Sequence, residues 1–229
     1  MDVLKVVSFI NRRADFSLAE FSQYWRSTHK AHALKLVEAG FFSGYIQNHA
    51  LEPALEGLEV MADGSPELWI DEVAALARLV ESREYKEGAG PDEACFMTPP
   101  SIACVARERV VDGLARGPAL DNAVKLMLVV RRDPALGREA FQRCWLAGDG
   151  PLLMPAARPL RLTRQAVEAG PDEATPFDGV ECSWWLDAAS ARAAWAGRAA
   201  RAGQGLADLR SLRGLLVREE VVRAPAVTA

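Results

Sequence analysis

Histidine and tyrosine are the scarce residues of this chain, with three of each in 229 positions. All three histidines, His29, His32 and His49, fall in the single stretch FSQYWRSTHKAHALKLVEAGFFSGYIQNHA (21–50). Cysteine is also sparse: Cys95, Cys104, Cys144 and Cys182 form no Cys-x-x-Cys pair and no Cys/His spacing that suits zinc. They read as reduced packing thiols in a cytoplasmic protein. The chain has no dense basic run, and its formal net charge is −4. That argues against a nucleic-acid partner, since phosphate neutralisation needs a basic face. It has no apolar run of about 18 residues, so no membrane span or membrane partner is expected. Met1-Asp2-Val3-Leu4-Lys5 enters an apolar strand at once, without the basic and hydrophobic regions of a signal peptide. Finally, it lacks a Ser/His/Asp order, a glycine-rich phosphate loop and a nucleotide fingerprint. What is present is 50% apolar and 25% charged, the composition of a globular protein with one large domain or two small ones.

The sequence repeats itself. VLKVVSFINRRADFSLAEFSQYW (3–25) lies over AVKLMLVVRRDPALGREAFQRCW (123–145) without a gap. Lys5 meets Lys125, Arg12 meets Arg132, Phe21 meets Phe141 and Trp25 meets Trp145. LWID (68–71) then matches WWLD (184–187), and VARERVV (105–111) matches LVREEVV (216–222). A further lookalike, AGPDEA at 89–94 and 169–174, is out of register with these and reads as coincidence. The Gly/Pro-bearing stretch 112–122 reads as a linker between domains at 1–111 and 123–229.

Each copy predicts the same elements. In the first, a strand spans 3–11, and a helix follows the capping box Ser17-Leu18-Ala19-Glu20. Phe21, Trp25, Thr28 and His32 form one stripe of that helix. Strands follow at 42–50 and 66–71, then a helix at 72–82 capped by Asp71, and a last strand at 101–111. The second copy repeats this at 123–131, 137–147, 159–167, 180–186, 187–201 and 212–222. The pattern is β-α-β-β-α-β twice, an α+β ferredoxin-like arrangement. Two helices cover only one face of each sheet, and both faces are apolar. The two sheets are therefore expected to close into one intramolecular α+β barrel with four helices outside. The expected particle is a monomeric pseudo-dimer, with further dimerisation left open.

Phe21-x-x-Tyr24-Trp25-x-x-x-His29 followed by Tyr45-Ile46-Gln47-Asn48-His49 resembles the EthD family of dimeric α+β barrel proteins. The opening Lys5-Val6-Val7 strand, Leu68-Trp69 and the terminal Arg-Glu-x-Val-Val are similar to it too. The second copy looks like a degenerate version. The resemblance implies small-molecule chemistry of the kind found in polyketide-tailoring decarboxylases and a methylmuconolactone isomerase, under a loose oxidoreductase label and without a common cofactor. The family often has His-x-Pro at the helix end. This chain splits that motif, with His29-Lys30-Ala31 in one copy and Asp149-Gly150-Pro151 in the other. Chemistry implied at these positions therefore belongs to the first copy, where His49 also stands against Ala166.

Two or three histidines invite a metal, but no His-x-x-x-His or Glu-x-x-His spacing supplies a ligand set. No metal and no cofactor is assigned. Phe21 and Trp25 recur in both copies and read as packing residues, and His32 reads as packed or at a helix end. Tyr45, Gln47 and His49 share one face of a strand by period two, which suits a polar cavity wall. Histidine titrates near neutrality, and a neighbouring phenol can donate to an enolate oxygen. His29, His49 and Tyr45 are the candidate catalytic residues. Tyr24, Gln47 and Asn48 are the candidate substrate-binding residues. The expected partner is a small hydrophobic or aromatic metabolite in the barrel cavity, undergoing isomerisation, decarboxylation or oxygenation by acid–base chemistry. A non-catalytic binding or accessory protein is the alternative.

Overall fold

A computed structural model of the chain describes residues 3–149, 152–153, 158–169, 173–198 and 205–225. Strand β1 (Val3–Arg12) leads into helix α1 (Leu18–Tyr24), a π-helical segment Trp25–His29, and helix α2 (Lys30–Glu38). Strands β2 (Gly44–Ala50), β3 (Glu59–Val60) and β4 (Gly64–Trp69) follow. Then come α3 (Ala74–Glu81), a second π-helical segment Tyr85–Ala89, α4 (Gly90–Phe96) and the long β5 (Met97–Gly113). The remaining elements are β6 (Val124–Arg132), α5 (Arg138–Ala147), β7 (Arg161–Val167), β8 (Gly179–Trp185), α6 (Ala188–Ala196) and β9 (Ala207–Arg223).

The strand order β2-β4-β1-β5-β7-β8-β6-β9 closes on itself through a β2–β9 pairing, giving an eight-stranded barrel. Every pairing within that ring is antiparallel. Closure removes the free strand edges that an open sheet exposes. Alternate residues of each strand point inward or outward. On β1, Val7 and Phe9 pack inside with Met127, Val129 and Leu215. Ile10 points outward onto Phe21, Trp25 and Phe96 of the helical layer.

The Ser17 capping box is present: Ser17 Oγ accepts from the Glu20 amide, and Glu20 reaches back to the Ser17 amide. Several expectations need correction. Asp71 caps nothing; α3 begins two residues beyond the expected start, with Val73 at its N-cap position and no side-chain cap bond. The single helix expected after β1 is interrupted, because Lys30 N–H bonds back to the Trp25 carbonyl in an i→i+5 turn. That wider turn puts His29, rather than Thr28, on the buried side with Trp25. Helix α4 was not expected at all. It grows from the AGPDEA segment at 89–94, whose Pro91 suits a helix first turn. The copy at 169–174 lies partly outside the described residues. The expected match of LWID to WWLD is one residue out. Lys5 pairs with Trp69 on β4, while Lys125 pairs with Trp184 on β8.

The barrel interior is filled, apolar at one level and ionic at another. Lys5 Nζ contacts Glu67 (2.6 Å) and Glu108 (2.5 Å), and Lys125 Nζ contacts Glu67 (2.6 Å) and Glu219 (3.1 Å). Arg116 reaches in from the inter-strand segment to Glu219 at 3.2 Å, against the Trp69 and Trp184 rings. Burial pushes Glu67 and Glu219 upward, but the surrounding cations outweigh it. Glu67 falls well below the usual carboxylate range and Glu219 to about 2.

Candidate functional site

The cavity nearest to the histidines lies outside the barrel, between the outer face of β1, β2 and β4 and the helices over them. It corrects the expectation of a ligand site inside the barrel, whose interior at that level is taken by side chains. The cavity measures about 120 Å³. Trp25, His29, Tyr45, Tyr85, Glu93 and Phe96 are among its walls, with Ile10, Leu36, Leu68 and Leu79 supplying much of the apolar surface. The two π-helical segments place Trp25 and His29, and Tyr85 and Ala89, on this wall from their first and last positions.

His29 is nearly buried, and its Nδ1 meets Asp92 Oδ2 at 2.8 Å. An ionised carboxylate only accepts, so Nδ1 carries the hydrogen and Nε2 keeps a lone pair. Nε2 has no protein partner among the described residues. Burial lowers the His29 pKa from its ordinary value, while Asp92 opposes that shift. Asp92 also accepts from the Tyr24 hydroxyl at 2.8 Å, and His32 Nε2 stands 4.0 Å away. Tyr24 is thus not on the cavity wall; it stacks on Phe96 and braces Asp92 from behind.

On β2 the directions of the hydrogen bonds follow from one fixed point. The Trp25 carbonyl can only accept, so the Gln47 group 3.0 Å from it is the amide NH₂. The same NH₂ donates to the Tyr45 hydroxyl oxygen at 2.9 Å. Gln47 Oε1 therefore faces His49 Nε2, 3.1 Å away, and that nitrogen must donate. His49 Nδ1 then accepts from Ser22 Oγ–H at 2.8 Å, and Ser22 Oγ accepts from Arg26 at 3.0 Å. Both His49 nitrogens are occupied. Burial, then Arg26 and Lys30, push its pKa down to about 3. His49 sits beneath the Trp25 ring rather than on the cavity wall, so the structure gives it no free lone pair with which to act as a base.

Tyr45 receives a second bond, from Trp25 Nε1–H at 2.9 Å. With two donors on its oxygen, its own hydrogen has no acceptor among the described residues. Burial raises the Tyr45 pKa, with Gln47 and Trp25 pulling the other way, so the phenol stays protonated. Asn48 points to the opposite side of β2, inside the barrel, where it donates to the Ser65 carbonyl at 2.7 Å and meets Lys125 at 3.2 Å. It cannot touch a molecule in this cavity.

The structure thus brings His29 and Tyr45 to one cavity, sets Tyr24 and Gln47 as their supports, and separates His49 and Asn48 from it. Sequence reasoning missed Asp92, Glu93 and Tyr85, all on the helical run Tyr85–Phe96, which it did not expect. Among the described residues, no group of three His, Cys, Asp or Glu side chains is arranged to hold a metal ion.

At the corresponding place in the second half, Arg164 stands in for Gln47. It donates to the Trp145 carbonyl at 3.1 Å and pairs with Glu181 at 2.7 Å. Asp149 is exposed at the end of α5, and Ala166 is buried without a polar group to offer.

An eight-stranded antiparallel barrel with an outer helical layer and a histidine–phenol cavity places the molecule among the α+β barrel proteins. Within that class, residues 13–100 match the model of the EthD domain family. The chain also resembles a proposed monooxygenase from Lactobacillus acidophilus, at 10% identity and a TM-score of 0.53, covering 100% of this chain and 99% of the other. An anthrone oxidase-like protein is similar at 13% identity and a TM-score of 0.53, covering 98% and 96%. A proposed monooxygenase from Fusobacterium nucleatum follows at 8% identity and a TM-score of 0.52, covering 100% and 97%. At such identities these likenesses speak for the fold alone. No curated protein matches the sequence. No helix among the described residues is long and apolar enough to cross a membrane.

Proposed function

We propose that the chain is an acid–base enzyme acting on a small hydrophobic or aromatic metabolite held between the first half's helices and its sheet. The observation that carries this is the His29–Asp92 pair, with a free imidazole lone pair on a cavity wall shared with an unclaimed Tyr45 hydrogen. His29 Nε2 takes a C–H or O–H proton. The electron pair left behind moves onto an oxygen that accepts from Tyr45, and the proton returns at a second position or is passed on. Isomerisation needs no more than this, and decarboxylation and oxygenation of an activated ring can start from the same step. The protein is proposed to be cytoplasmic, without a nucleic-acid or membrane partner.

The proposal extends to the architecture. Two ferredoxin-like units, 1–111 and 123–229 with a linker between, close into one barrel within a single chain as a pseudo-dimer. Its support is the register: Lys5 pairs with Trp69 and Ala106, and Lys125 with Trp184 and Val217. Only the first unit keeps a site.

A panel of single-ring phenols, ketones and lactones, incubated with the pure protein in D₂O and followed by mass and NMR, tests the activity. Protein-dependent deuterium uptake or turnover, lost in His29→Ala, is expected. Binding without exchange or turnover at any pH from 6 to 9 assigns the protein instead to the non-catalytic accessory class.

A further inference from the structure

The cavity's polarity is one-sided in a way that specifies its ligand. Its wall holds no lysine and no arginine among the described residues. Its one carboxyl, Glu93, is pushed upward by burial, toward the neutral acid. A carboxylate ligand would therefore bring a charge into a largely apolar space with no cation to meet it. Ser8, Tyr85 and Ser101 also line the space, but the two groups of the proposed acid–base pair have fixed and opposite roles. His29 Nε2 can only accept, because Asp92 holds the hydrogen on Nδ1. Tyr45 can only donate, because Gln47 and Trp25 both donate to its oxygen. That second restriction is enforced from a distance. If the Gln47 amide turned over, its oxygen would face the Trp25 carbonyl, two acceptors in contact. The Trp25 carbonyl thus holds the amide this way round, and the amide oxygen in turn takes the hydrogen of His49 Nε2, leaving Nδ1 to accept from Ser22.

Resting on the acid–base reading above, we infer that this site takes an uncharged, single-ring molecule. It places a carbonyl or phenolic oxygen on Tyr45 and excludes carboxylates. The volume agrees: about 120 Å³ is close to the size of an engineered apolar cavity that holds one benzene ring. Of the three reactions considered, decarboxylation of a ring acid is then the one disfavoured. His49 and Gln47 are positioning residues in this scheme, acting through the Tyr45 hydroxyl.

Acetophenone, benzoate and ethylbenzene are matched probes: similar in shape, but carrying an acceptor, a charge and neither. Calorimetry on the full chain at pH 8 is expected to rank acetophenone first, with benzoate weaker by about tenfold or more. The ¹³C carbonyl resonance of bound acetophenone should move downfield, the signature of an accepted hydrogen bond, and this needs no variant. Tyr45→Phe should erase the preference for acetophenone over ethylbenzene while leaving ethylbenzene binding in place. Benzoate binding as tightly as acetophenone, or an unshifted carbonyl, overturns the inference and leaves the cavity reading standing. Failure of all three, ethylbenzene included, removes the cavity reading and the inference with it.

Discussion

Asp92 decides which nitrogen of His29 meets the cavity, so its loss should be read in chemistry rather than folding. Asp92→Ala is expected to lower kcat/KM by about 10²-fold or more, as removal of an acid–base element does. The pH profile gives a finer check. On the proposed mechanism His29 works when neutral, so activity should rise with pH and level off, with a midpoint below the ordinary 6.5 because burial lowers its pKa. Asp92 opposes that lowering, and without it the rising limb should move to still lower pH. An unmoved limb would mean that His29 is not the titrating base. His49 makes a different prediction, in stability. Its folded pKa of about 3 lies below its unfolded value near 6.5, so the unfolded chain binds the proton first. The contribution of neutral His49 is complete above pH 6.5 and is lost as pH falls toward 3, by about 1.4 kcal/mol for each pH unit. Urea midpoints from pH 7 to pH 4 should fall less steeply in His49→Gln than in the wild type.

A π-helical turn cannot be read from a hydrophobic stripe, and this is where the sequence misled. Phe21 and Trp25 do follow the helical period, but the wide turn moves the buried side on by one residue, to His29 and Ala33 in place of Thr28 and His32. The strands were easier, because closure of the barrel makes alternation strict: Tyr45, Gln47 and His49 share one face of β2, as their period-two spacing suggested, and Asn48 points the other way. The LWID match failed by one residue because each half has an apolar pair there, and a single slip exchanges the inward and outward faces. Asp92 was invisible for another reason, since its segment looked like a chance repeat. Sheet–helix contact offers its own test. A Cβ at Gly64 would lie 2.6 Å from the Trp25 ring, and one at Gly179 2.8 Å from the Trp145 ring. Gly64→Ala and Gly179→Ala should each destabilise by about 1–3 kcal/mol through overpacking, read as shifted denaturant midpoints. Gly64→Ala alone should also disturb ligand binding, because Trp25 is a cavity wall.

Across the whole molecule, the ionic level inside the barrel links strands from both halves. Lys5 comes from β1, Glu67 from β4, Glu108 from β5, Lys125 from β6 and Glu219 from β9. Lys5→Met strips Glu67 and Glu108 of a shared cation, and its expected cost is about 3–5 kcal/mol in urea unfolding. Adding Glu108→Gln should return part of that loss; if the double variant is no better, the lysine's packing and not its charge was being measured. The β2–β9 seam has a consequence for biosynthesis. Tyr45 on β2 pairs with Arg223 on β9, so one edge of the strand that carries Tyr45 waits for β9 to be made. At about 5–20 residues per second, a ribosome leaves the β2 edge unpaired for roughly ten seconds or more. During that interval the nascent chain presents an open strand to its neighbours on the polysome. The cavity wall itself, built from residues 8–101, does not need β9, because the other edge of β2 pairs with β4; what stays open until β9 arrives is the single β2 edge that a chaperone would have to shield.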